Sequence, residues 1–127
     1  MFEDPDAAII WDRVFTGDLT RARLGDGLLV IMQDLHGGAM NGGLLHAVGK
    51  LDAEELAAAQ ASYGYFGLTA IADLLAEAAD IFKRGDDLDD WEIELDRRYH
   101  ALVPSDDALL ESLKQTLRRN PSGFAPI

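Results

Sequence analysis

Three groups of side chains in this chain have types and spacings that could do chemistry. The first is an acid cluster, Asp86 to Asp96, with seven carboxylates in eleven residues. Dense carboxylates can hold a divalent cation, but the pattern does not fit a calcium loop. Such a loop starting at Asp87 would place Asp89 correctly. It would then put Trp91 at a ligand position, Glu92 where glycine is needed and Arg98 where the closing glutamate belongs. The second group is the glycine stretch from His36 to Val48. Gly37 and Gly42 have the spacing of a phosphate loop, yet Gly43 and Leu44 stand where Lys and Ser/Thr are required. Gly25-x-Gly27 has Val30 in place of the third glycine of a dinucleotide fingerprint. The third group is His36, His46 and His100, which form no metal-ligating pair on one helix face. His36 and His46 bracket the glycines and could meet across a bend. No Gly-x-Ser-x-Gly elbow is present. No cofactor, metal ion or catalytic residue is nominated, and the chain reads as a non-enzyme.

The elements that position these groups follow from periodicity and punctuation. Pro5 suits a first helical position behind Asp4, and Ile10, Trp11, Val14 and Phe15 recur at helical spacing up to Thr16-Gly17-Asp18. Leu24, Leu28, Ile31, Met32 and Leu35 form a second stripe. The paired glycines Gly37-Gly38 and Gly42-Gly43 then predict a break or bend, with Asn41 capping a short helix that carries Leu44, Leu45 and Val48. Asp52 with Glu55 forms a capping box before an alanine-rich helix. Leu68, Ile71, Leu75, Ala78 and Phe82 make the cleanest amphipathic stripe, closed by Lys83-Arg84-Gly85.

Leu88, Trp91, Leu95, Tyr99 and Leu102 give the acid cluster a helical seam. At 100° per residue, Asp89, Glu92 and Asp96 fall on one flank of it, and Asp87, Asp90 and Glu94 on the other. A last helix carries Leu109, Leu110, Leu113 and Leu117 between Ser105 and Pro121, with Phe124 folding back. The expectation is an all-α protein, a single compact domain of about six helices over residues 1–127.

Composition narrows the partners. Eleven Lys plus Arg against 23 Asp plus Glu leave a formal net charge of −12. Such a chain is repelled by nucleic acid and anionic membrane and attracted to basic protein surfaces. There is no cysteine, no bilayer-length apolar run and no basic n-region at the start, which together read as cytoplasmic. At 48% hydrophobic the chain is too apolar for a disordered acidic tail.

Four blocks carry a family resemblance. Asn41-Gly42-Gly43 in NGGLLHAV resembles the Asn-Gly-Gly-aromatic signature of a bacterial family of all-helical domains that includes DNA mimics. The helix Gly67–Phe82, LDRRYHAL at Leu95–Leu102 and RRNPSGF at Arg118–Phe124 are similar to its later blocks, in the same order, so that residues 24–124 are covered. Leu44 and His46-Ala47 depart from it, standing where the family has aromatic residues. The resemblance implies a DNA-mimic-like protein, a homodimer that occupies the DNA-binding surface of a regulator such as a transcription factor. The partner-binding residues would be Asp87, Asp89, Asp90, Glu92, Glu94 and Asp96, with Asn41, Gly42 and Gly43 as a structural motif. The alternative is an immunity-type protein that neutralises a toxin or enzyme through Tyr63, Tyr65 and Phe66 or through the Asn41 bend.

Overall fold

The computed structural model describes residues 2–127. Among them the chain forms seven α-helices and no strand: α1 Asp6–Phe15, α2 Leu24–Gly42, α3 Leu44–Gly49, α4 Ala53–Tyr65, α5 Thr69–Arg84, α6 Leu88–Leu102 and α7 Asp106–Arg119, followed by a 3₁₀ turn at Pro121–Gly123. The protein is all-α, with one more helix than the stripes suggested. One hydrophobic core runs through it, from Ile10 and Leu29 through Leu44, Leu75 and Leu95 to Leu109. The short α3 lies at its centre, packed on α2, α5 and α6, while α4 closes over α2 and α5 and α1 bridges α2 to α7.

Local signals placed most helix ends. Asp52 accepts the Glu55 N–H at 2.8 Å while Glu55 accepts the Asp52 N–H at 3.0 Å, so the capping box is complete. Gly85 closes α5 at φ 77°, a left-handed cap that a side chain would resist. Leu109, Leu113 and Leu117 are buried, and Phe124 folds back to 1% exposure.

Other expectations were overturned. Helix α2 runs straight through Gly37-Gly38 and ends only at Gly43, whose φ is 93°. Asn41 therefore lies inside α2 and caps nothing; the first N–H of α3, at Leu44, is instead bonded by the Asp96 carboxylate of α6 at 2.8 Å. Asp4 does not cap α1, because its carboxylate turns to Arg118. The α1 stripe buries Ala7, Ile10 and Val14, but it leaves Phe15 72% exposed at its end. Phe82 and Leu102 are likewise surface members of their stripes. Phe82 lies over Gly49, so close that a Cβ there would fall within 2.5 Å of its ring.

Candidate functional site

The acid cluster begins in the turn between α5 and α6. Asp87 takes a left-handed conformation, φ 54°, which aspartate tolerates better than most residues. It leads into α6, whose first turn carries Asp89 and Asp90. Carboxylates are favoured there, because the free N–H groups at a helix start carry partial positive charge. Asp86, Asp87, Asp89 and Asp90 are all exposed. Among the described residues none of the four makes an ion pair or a side-chain hydrogen bond.

Two of the remaining members of the expected rows, Asp96 and Glu94, are engaged within the fold. Asp96 caps α3, and Glu92 lies beside it: a Cβ on Gly43 would stand 3.1 Å from each of their carboxylates. Glu94 is paired with Arg97, whose guanidinium donates at 3.0 and 2.6 Å and holds the Glu94 carboxyl below its usual range. One turn further on, Arg98 bridges to Glu77 on α5 and lowers that carboxyl in the same way. Each expected row thus contains one carboxylate already engaged within the fold, Asp96 in one and Glu94 in the other. The carboxylates left without a partner among the described residues are Asp86, Asp87, Asp89 and Asp90, at the amino end of α6 and the turn before it, and Glu92 one turn on from Asp89.

The histidines are separated. His46 is exposed on α3 beside Gly42. His36 is buried on α2, with Nδ1 2.8 Å from the Tyr99 hydroxyl and Nε2 2.8 Å from the Asp106 carboxylate. Tyr99 in turn meets the Tyr63 hydroxyl at 2.8 Å. An ionised carboxylate can only accept, so Nε2–H donates to Asp106, and in a neutral imidazole Nδ1 then accepts from Tyr99. Tyr63 then donates to Tyr99, and every donor is used with His36 neutral. The chain ties α2, α4, α6 and α7 together. It has the order of a nucleophile–base–carboxylate relay, yet Tyr99 is 2% and Tyr63 0% exposed, so no substrate reaches either hydroxyl. Burial accordingly pushes the Tyr99 hydroxyl up to about 12 and raises that of Tyr63 further. Sequence reading missed this network. Its one signal was a tyrosine on an otherwise apolar seam.

A buried carboxylate was also missed. Asp26, 1% exposed, accepts from the Arg13 guanidinium at 2.9 Å and from the N–H groups of Arg23 and Ala125 at 2.9 and 2.8 Å. It secures the start of α2, the end of α1 and the carboxy-terminal segment at one point. Tyr63 and Phe66 are core residues, and Tyr65 packs edge-on to Phe66 and bonds Asn120. Of the three aromatics expected at the surface of an immunity-type protein, Tyr63 and Phe66 are thus in the core and Tyr65 is half-buried. Among the described residues no three His, Asp or Glu side chains are grouped to hold a metal ion, and no helix is long and apolar enough to cross a membrane. Comparison with protein-family models, curated proteins and solved structures finds no match to this chain.

Proposed function

We propose that this protein is a non-enzymatic acidic binding module, and that its partner is a basic protein surface such as the DNA-binding face of a regulator. Asp86, Asp87, Asp89 and Asp90 are the first contacts. The observation that carries this reading is that these four carboxylates are exposed and unpaired in a chain of net charge −12. A group of fixed negative charges on a short helical ledge offers a basic surface what a stretch of phosphates offers it. The resemblance to the DNA-mimic-containing family supports the same reading, as does the sealing of the His36–Tyr99 chain from solvent.

The test is capture of partners from cell extract at low and at high salt, identified by mass spectrometry. Capture should fall steeply with salt, since contacts between exposed charges are screened beyond about 8–10 Å at physiological ionic strength. The triple variant Asp87→Asn, Asp89→Asn, Asp90→Asn should lose it, whereas Glu94→Gln, already neutralised by Arg97, should change little. Asparagine is well tolerated in the left-handed region, so the turn at Asp87 survives the change. Partner capture that ignores salt, or a triple variant that captures as well as the parent, would sink the proposal.

A further inference from the structure

A groove of about 460 Å³ opens between α2, α3 and α4, away from the charges just described. Its floor is made of small residues, Gly38 of α2, Ala47 of α3 and Ala58 of α4, and its walls of Ile31, Leu35 and Leu51. A Cβ on Gly38 would stand only 3.3 Å from that of Ala47, so the two helices meet in close contact beneath the opening. The rim is charged. Asp34 and Glu55 stand on it and are exposed, with Lys50 the single base. Among the described residues neither carboxylate is ion-paired with Lys50, and Glu55 accepts the Asp52 N–H with one oxygen.

We propose that this groove seats one amphipathic helix of the basic partner, its apolar side chains on the alanine–glycine floor and its Lys or Arg side chains against Asp34 and Glu55. The inference rests on the reading above for the charge of the partner. It adds what exposed carboxylates lack, namely a desolvated apolar anchor that sets register. Binding energy concentrates in such anchors rather than in rim charges. Lining and rim together select the occupant: an apolar ridge flanked by bases matches both, in the helix-in-groove mode. A neutral or acidic apolar segment matches the floor but meets two carboxylates and the field of the whole acidic chain.

The test uses the full protein, isotopically labelled, and three synthetic helical peptides of one length: Leu with Lys, Ser with Lys, and Leu with Glu. The Leu/Lys peptide should shift the amide signals of Gly38, Ala47 and Ala58 and bind at least about tenfold more tightly than the Ser/Lys peptide. Ala58→Lys, a change at a half-buried helix position that keeps a good helix former, should remove that advantage, and Lys50→Ala should enlarge it. Equal binding of the Leu/Lys and Ser/Lys peptides, with shifts confined to the start of α6, would overturn the groove and leave the acidic reading standing. Equal binding of the Leu/Glu peptide would overturn the choice of a basic occupant. Concentration-dependent shifts of the same amides before any peptide is added would give the groove to a second copy instead. Failure of every Lys peptide to bind would remove both proposals together.

Discussion

Tyr99 occupies the middle of a hydrogen-bond chain whose direction is dictated from one end. Because Asp106 can only accept, His36 donates to it; with the imidazole neutral, Tyr99 donates to His36 and Tyr63 donates to Tyr99, the arrangement that uses every donor. The two tyrosines are therefore unequal. Tyr99→Phe leaves a buried imidazole nitrogen without a donor and the Tyr63 hydroxyl without an acceptor, and should cost about 2–6 kcal/mol at roughly 1–3 kcal/mol per stranded group. Tyr63→Phe removes only the terminal donor and should cost about 0.5–1.5 kcal/mol. Denaturant unfolding of the two variants measures the gap, and equal losses would mean the direction is wrong. The same pair sets an alkaline limit. Burial raises Tyr99 from the ordinary 10.0 to about 12, with Tyr63 higher, so the protonated form belongs to the folded state. The stability they contribute is complete below pH 10.0 and is lost as pH climbs toward about 12. Melting temperature should fall across that window, more shallowly in the Tyr63→Phe, Tyr99→Phe double variant.

At the scale of elements, the glycines sort by what surrounds them. Gly37 lies in mid-helix with nothing within 4 Å of where a Cβ would go, so it weakens α2 without easing any contact in the fold. Gly37→Ala should stabilise the protein by about 0.4–1 kcal/mol. Gly43→Ala should destabilise it by more than that, because φ is 93° and two carboxylates stand 3.1 Å from the new atom. Thermal melts of the two variants should move in opposite directions. This contrast also marks where the sequence was legible. The capping box at Asp52, the left-handed Gly85 and the stripes of α5 and α7 are settled within a few residues of themselves, and pattern reading found them. Which of four glycines breaks a helix is settled by Ala47 across the packing and by Asp96, 52 residues from the amide it bonds. The acid cluster behaves the same way. Its density was plain, but the division into free and engaged carboxylates depends on whether Arg97 turns to Glu94 and where Asp96 points. Nothing in the local pattern distinguishes Asp96 from Asp90.

For the whole molecule, charge opposes the fold that presents it. Among the described residues, the Arg and Lys side chains in ion pairs with carboxylates are Arg13, Arg97, Arg98, Lys114 and Arg118, and the surplus of acids repels itself across the surface. Added salt should therefore raise the melting temperature while it weakens capture of a basic partner, two responses of opposite sign from one cause. A melting temperature that falls with moderate salt would mean the ion pairs outweigh the repulsion.

The carboxylate that reaches from α6 to the first amide of α3 has one more consequence, for the order in which the chain folds. Six residues are far below the length at which a helix sustains itself in water, where isolated helices shorter than about 12–15 residues are marginal. The segment Leu44–Gly49 therefore has no helix of its own to contribute early. It should wind up only as α6 arrives to cap it and α2 and α5 close around it. The centre of the core is in this sense its latest part, and the amide of Leu44 should exchange with solvent only when α6 leaves.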